Sequence, residues 1–333
     1  MIKYVLRRVL MIVPMVILVS IIAFLLIELP PGDYLTVRIM NLEEQGIYLS
    51  DAEILSLQRQ YGLDKPVYQR YFIWVRNFVI HGNLGVSFQY ERPVIDLIRE
   101  RLPATLMLVM FSMIVSWCLA IPLGIFSATH QYSFLDYGLT FITFLGVGTP
   151  GFLLAMIIAW ISISVFDFSP IGLISVEYIG KPWDLAKFID VLKHIWFPVL
   201  IMAIGGTGSL MRTMRNNLLD ELKKQYVDTA KAKGLHPLRL VLKYPVRLAI
   251  SPVIVGTASI LPQMFAGGGM IAIVLGLETM GPLLLGAVLT QDMYVAGSIL
   301  TILGFLTILG NFLSDLLLAA VDPRVRLGSG VIR

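Results

Sequence analysis

Apolar and charged positions in this chain separate on the scale of whole segments. Six long stretches contain no Asp, Glu, Lys or Arg: residues 9–27, 102–135, 137–166, 194–211, 248–277 and 293–314. About 20 apolar residues cross a hydrocarbon core as a helix. A backbone in lipid must also satisfy its own hydrogen bonds. The pattern therefore predicts an all-α integral membrane protein with six transmembrane helices. Residues 279–291 are uncharged too, but the stretch is short and contains Gly281-Pro282, which predicts a re-entrant or interfacial piece. The first stretch is longer than a signal-peptide core, and no small-x-small cleavage pattern precedes Pro30-Pro31. It reads as a retained anchor.

The segments between these stretches carry the charge. With the N-terminus inside, the cytoplasmic side holds 15 Lys/Arg and the outer side 11. Eight of the outer eleven sit in one long loop, residues 31–101, which counts least under the positive-inside rule. Both termini are therefore expected in the cytoplasm. Three regions follow: residues 1–30 (tail and first span), 31–101 (a small helical insertion outside) and 102–333 (a five-helix core). In the insertion, Ser50 and Glu53 form a capping-box pattern. A helix should follow to about Tyr61, with Gly62 as its stop, and Pro66 suits the start of another. Tyr68, Tyr71, Phe72, Val75, Phe78 and Val79 then recur at helical spacing. They fit packing better than a ligand face. His81–Gly85 (HGNLG) reads as a turn, and residues 94–101 as a short polar helix before the second span.

Composition narrows the class. The chain is 57% hydrophobic and 14% charged, where a soluble domain has about 25% charged residues. The net charge of +4 lies in its topology and does not indicate nucleic-acid binding. Cys118 is alone, so no intrachain disulfide is possible. The four histidines are dispersed, and no metal site is expected. No G-x-x-x-x-G-K-[ST] occurs (Gly180-Lys181 is followed by Pro182), so the chain should not hydrolyse ATP. No catalytic constellation stands out. The spans nearly lack central ionisable residues, which argues against an ion-coupled secondary transporter, the main alternative class. Asp315 reads as a structural, hydrogen-bonded or snorkelled side chain. Glycine and proline interrupt the spans at Gly148, Pro150, Gly267, Gly268 and Gly269. Both close packing and a gate or pathway role account for such residues.

Residues 212–247 form the charged cytoplasmic segment, with nine Lys/Arg against three acids. Leu218, Leu219, Leu222, Tyr226 and Ala230 predict one apolar face of an interfacial helix. Gly234 should stop it and Pro237 should start a second helix. Arg239, Lys243 and Arg247 predict a basic stripe on that second helix. A hairpin lying on anionic lipid explains the stripe. It explains less well the small Thr229-Ala230 patch and the glycine stop.

Asp228-Thr229-Ala230-Lys231-Ala232-Lys233-Gly234 resembles the EAA loop (Glu-Ala-Ala-x-x-x-Gly) of permease subunits of binding-protein-dependent ABC importers. Asp and Thr stand where that signature has Glu and Ala. Tyr4-Val5-Leu6-Arg7-Arg8, Leu29-Pro30-Pro31-Gly32-Asp33, Tyr61-Gly62-Leu63-Asp64-Lys65-Pro66, Gly82-Asn83-Leu84-Gly85 and Arg101-Leu102-Pro103-Ala104-Thr105-Leu106 are similar to the dipeptide/oligopeptide branch. So is Asp322-Pro323-Arg324-Val325-Arg326. The long region after the first span resembles the B-type subunit. The resemblance implies a permease in the inner membrane of a prokaryote, moving peptides or oligosaccharides delivered by an external solute-binding protein. It implies a second homologous permease and two ABC ATPase subunits as partners, with ATP and Mg bound by those subunits and no cofactor on this chain. It further implies that Tyr226, Asp228, Thr229, Ala230, Ala232, Lys233 and Gly234 couple the chain to an ATPase. The usual Pro-Gly-x-Gly stretch before the last span is replaced around Glu278-Thr279-Met280-Gly281, which leaves the cargo open.

Overall fold

A computed structural model describes residues 2–28, 34–61, 64–178, 181 and 184–321. Among these the chain forms thirteen α-helices: α1 (Ile2–Glu28), α2 (Tyr34–Glu44), α3 (Asp51–Tyr61), α4 (Val67–His81), α5 (Val94–Thr129), α6 (Phe134–Gly148), α7 (Gly151–Phe166), α8 (Leu185–Leu222), α9 (Gln225–Ala232), α10 (Pro237–Lys243), α11 (Pro245–Val274), α12 (Met280–Leu289) and α13 (Met293–Val321). Four of them, α1, α5, α8 and α13, are long and apolar enough to cross a membrane, or five spans if α6 and α7 count as one broken span. The remaining expected span falls on α11, where the side chains of residues 257–263 lie outside the described set.

Several expectations change in detail. Residues 137–166 do not make one straight helix: α6 and α7 meet at a bend of 107°. Proline has no N–H and pushes the preceding residue out of the α region. Thr149 is accordingly extended (φ −98°, ψ 127°) and Pro150 precedes the first turn of α7. The Thr149 hydroxyl donates to the Leu145 carbonyl at 2.7 Å, satisfying one acceptor at the end of α6. Residues 94–101 are not a separate polar helix but the first turns of α5. Val94, Leu97 and Ile98 recur at i, i+3 and i+4 and are all buried, so these turns pack through an apolar face. α8 extends well past the uncharged stretch, with 38 residues, about 57 Å at 1.5 Å per residue. Residues 212–222 are therefore the end of a long helix.

The described chain forms two compact units. One takes in the described residues of Met1–Arg8, Thr105–Glu278 and Leu309–Arg333, the other those of Val9–Ala104 and Thr279–Ile308. In the first unit α8 is the central element, packing most extensively on α11 and then on α6. The Ser116 hydroxyl donates to the Ala203 carbonyl and Ser314 to Ile254, so hydroxyls tie helices together without buried charge. Asp315, expected as a structural acid, pairs with Arg8 at 2.8 Å. Phe141, Ile142, Trp160 and Val165 stay exposed on α6 and α7, as a lipid-facing surface would.

In the second unit a core of Phe24, Trp74, Leu84, Phe88, Leu97, Leu283 and Ile299 joins α1, α4, α5, α12 and α13. The capping box is present: the Ser50 N–H donates to Glu53 Oε2 at 2.8 Å and the Glu53 N–H to Ser50 Oγ at 3.4 Å. The expected stop at Gly62 lies outside the described residues. α2 was not foreseen. α4 ends on Gly82 in the left-handed conformation (φ 63°), as the turn predicts. Its aromatic stripe splits: Tyr71 and Val75 pack on the core, whereas Tyr68, Phe72, Phe78 and Val79 are exposed. α12 has only 10 residues, too short to cross, in keeping with a re-entrant or interfacial piece.

Candidate functional site

The segment after α8 is built around a small helix. Lys223 and Lys224 interrupt the apolar pattern, and Lys224 adopts an extended conformation (φ −82°, ψ 146°) that starts α9 in a new direction. The expected single apolar face is thus divided: Leu218, Leu219 and Leu222 belong to α8, Tyr226 and Ala230 to α9. α9 ends at Ala232, and Gly234 turns the chain in the left-handed region (φ 72°), where a Cβ is disfavoured. The Gly234 N–H donates to the Lys231 carbonyl at 2.9 Å and the Leu235 N–H to Ala230 at 3.4 Å. Pro237 then opens α10 at its first turn. Arg239 and Lys243 lie on α10, but Arg247 falls on α11, because the helix breaks at Tyr244 before Pro245. The basic stripe therefore spans two helices.

α9 has two faces. Val227 and Ala230 are buried and pack with Leu240 of α10, flanked by Tyr226, Leu235 and Val241. Burial of Val227 and Leu240 contributes roughly 1.5–3 kcal/mol each. Asp228, Thr229, Ala232, Lys233 and Gly234 are exposed on the other side. The Asp228–Lys231 ion pair (3.3 Å) is exposed and contributes little. α9 is tied back to α8 through Glu221, which accepts from the Tyr226 hydroxyl at 2.7 Å and from Lys224 Nζ at 2.6 Å. Burial first, and then the Glu221 carboxylate, hold the Tyr226 phenol above its ordinary range, so it stays protonated as the donor. Of the residues implicated by the resemblance, Ala230 faces inward, Tyr226 is half-buried, and the other five form the outward strip.

A second cluster was missed. Asp136, near the start of α6, is 2% exposed. Arg215 of α8 approaches it with two nitrogens, Nε to Oδ1 at 3.2 Å and a terminal nitrogen to Oδ2 at 3.0 Å. The Ser127 hydroxyl at the end of α5 donates to the same carboxylate, and the Tyr132 N–H donates to Oδ2 at 3.0 Å. Ser133 caps α6 by accepting from the Asp136 N–H. The Ser-x-x-Asp spacing was a visible helix-start signal. The partner arginine, 79 residues away, was not.

The first unit also holds a cavity of about 340 Å³, walled by the α6–α7 break, α8 and α11. Its lining is entirely uncharged: Thr149 and Pro150 at the break, Met202, Gly205, Gly206 and Ser209 of α8, and Gly267 and Gly268 of α11 are among it. Gly148 and Gly269 do not line it. A Cβ on Gly268 would lie 2.6 Å from Met202 Cε, whereas one on Gly267 would meet nothing within 4 Å. Gly268 thus serves close packing and Gly267 leaves open space. The second unit holds a separate cavity of about 510 Å³ lined by Trp74, Asn77, Asn83, Phe88, Glu91 and Tyr294, among others. Among the described residues no group of three or more His, Cys, Asp or Glu is placed to hold a metal ion.

Apolar helices, four of them long enough to cross a bilayer, and the uncharged cavity among them define a polytopic membrane protein. The chain belongs to the family of binding-protein-dependent transport system inner-membrane components, whose pattern matches residues 120–327. The companion N-terminal region of such membrane components matches residues 1–109. The chain is 31% identical to the oligopeptide transport system permease protein AppB of Bacillus subtilis, over 97% of this chain and 98% of that protein. It is 32% identical to a putative peptide permease protein of Brucella suis, over 98% of this chain and 100% of that one. It is 30% identical to the inner membrane ABC transporter permease protein YejB of Escherichia coli O157:H7, over 97% and 98% respectively. The chain is thus an ABC-importer permease of the inner membrane, in a family of transporter subunits and not of enzymes.

Proposed function

We propose that this chain forms one half of the membrane pathway of an ATP-driven importer of peptides, and that α9 is its contact with a cytoplasmic ATPase. Relatives named as oligopeptide and peptide permeases, similar over nearly their whole length, support the cargo class. The six uncharged stretches support six spans, and the Lys/Arg distribution supports both termini in the cytoplasm. The partners are a second homologous permease, two ATPase subunits that bind ATP and Mg, and an external solute-binding protein. The cavity at the α6–α7 break is part of the path, with Pro150, Gly267 and Gly268 in its wall.

One observation carries the coupling role. α9 turns an inner face (Val227, Ala230) onto its own hairpin and leaves a short strip of small and charged side chains outward, stopped by left-handed Gly234. A helix of that size can enter a cleft, and its ties to Glu221 transmit load into α8. The test places Thr229→Arg or Ala232→Arg on the outward strip. In a reconstituted complex each should abolish cargo-stimulated ATP hydrolysis while the protein still inserts and assembles. Normal stimulation in both variants would remove α9 as the contact. Competition of labelled-peptide uptake by an oligosaccharide as strongly as by a second peptide would overturn the cargo class. Uptake that survives without ATP but collapses with the ion gradient would favour a secondary transporter.

A further inference from the structure

α8 meets α6 along a seam of three different contacts. At one end is the Asp136–Arg215 pair, with Ser127 and the Tyr132 N–H on the same carboxylate. Next, the Arg212 guanidinium lies 4.8 Å from the centre of the Phe144 ring. Beyond that, each helix presents a glycine to the other. A Cβ at Gly208 would lie 2.6 Å from Val147 Cγ2 and 2.9 Å from the Thr143 carbonyl oxygen, and one at Gly146 would lie 2.7 Å from Ile204 Cγ2. Backbone and β-branched side chains yield little. A slide of one residue, about 1.5 Å, would drive them into occupied space. The close approaches between α8 and α11 are softer. A Cβ at Gly268 would meet the end of Met202 at 2.6 Å and one at Gly206 would lie 3.3 Å from the end of Met264, both flexible thioethers.

We propose that Asp136 and Arg215 are the positioning pair that makes α6 move with α8, so that displacement of α9 reaches the α6–α7 break and the cavity wall at Thr149 and Pro150. The inference rests on the reading of α9 as the ATPase contact and adds the residues that carry its motion inward. A bidentate guanidinium on a buried carboxylate is directional and resists both sliding and rotation. Lysine keeps the charge but loses the fork.

The experiment uses the reconstituted complex and reads cargo moved per ATP hydrolysed. Asp136→Asn and Arg215→Lys should keep ATP hydrolysis and lower that ratio about two- to thirty-fold, the range of measured coupling changes. A second readout uses Thr149→Cys in a Cys118→Ser background. Its reactivity to a polar thiol reagent should change with nucleotide in the parent and lose that change in Arg215→Lys. Bridging Asp136→Cys and Arg215→Cys with a short bifunctional thiol reagent, again without Cys118, should restore the ratio. Equal losses of hydrolysis and transport would show a merely structural pair. An unchanged ratio with hydrolysis and transport both intact would leave α11 as the carrier, and loss of transport on bridging would show that α6 and α8 slide. Each of these overturns the proposal. The outward-strip variants Thr229→Arg and Ala232→Arg separate the two readings: normal ATPase stimulation in both removes the α9 contact, whatever the pair does.

Discussion

Two buried aspartates solve the same problem in different ways. Asp136 in the first unit shares its charge with the Arg215 guanidinium at 3.0 Å. Asp292 in the second unit is 0% exposed and is held by neutral donors: the Ser87 hydroxyl at 2.6 Å, the Gln89 N–H at 3.1 Å and the Val295 N–H at 3.3 Å. The Val295 bond makes Asp292 the N-terminal cap of α13, and the other two pin the loop after α4 to it. The difference lies in what each joins. Neutral hydrogen bonds suffice to hold a loop still against a helix end. The charged, forked contact joins α6 to α8, the second of which leads to the segment that a partner is proposed to pull.

Removing the arginine should produce the largest effect. Arg215→Ala strands a buried carboxylate with only Ser127 and a backbone N–H, a loss expected to cost about 3–5 kcal/mol. The double change Arg215→Ala with Asp136→Asn should recover part of it, because no charge is left behind. Denaturant unfolding in detergent, read on all three proteins, checks the order. If the double variant is no better than Arg215→Ala, the pair matters for shape and not for charge. Asp292 should be less costly. Asp292→Ala loses a cap and two loop bonds, about 1–3 kcal/mol. Asp292→Asn should fall between, since its single carbonyl oxygen cannot replace both acceptors. Hydrogen exchange should speed at the Gln89 and Val295 amides in Asp292→Ala. Unchanged exchange there would mean that the loop is held by its apolar contacts alone.

The contrast also shows what was legible in the sequence. Local signals were readable because their physics is local: the Ser50–Glu53 box, the left-handed stop at Gly234 and the helix start at Pro237 each depend on a few neighbours. The apolar stretches showed where helices lie. They could not show that α8 runs past its span, because amphipathic packing continues where hydropathy falls. The bend at Pro150 hid inside an uncharged run, although the proline itself was in view. Asp136 showed only as the break between the uncharged stretches 102–135 and 137–166, and its pairing with Arg215 required the antiparallel meeting of α6 and α8. Ala230 matched the signature, yet its burial against Leu240 depends on the hairpin closing. Exposure along the α9 strip is therefore a structural finding, where the motif supplied only a set of candidates.

The smallest expected effect is in pH, and it separates the two aspartates by sign. Burial pushes the Asp292 carboxyl above the usual range, while Ser87, Gln89, Val295 and Phe88 pull it down and only partly offset this. Between the ordinary carboxylate range and that raised value, the folded chain holds a proton that the unfolded chain has shed. Folding is then favoured as pH falls through this window, and the contribution is lost as pH rises through it. A carboxylate held by a cation gives the opposite slope. Thermal unfolding of the wild type and Asp292→Asn, compared from about pH 5 to pH 7.5, isolates the group. The advantage of the wild type over the variant should shrink as pH rises. An advantage that grows with pH would mean that the neutral donors outweigh burial. Asp292 would then behave as a fully ionised cap, and the distinction from Asp136 would reduce to the presence of an arginine.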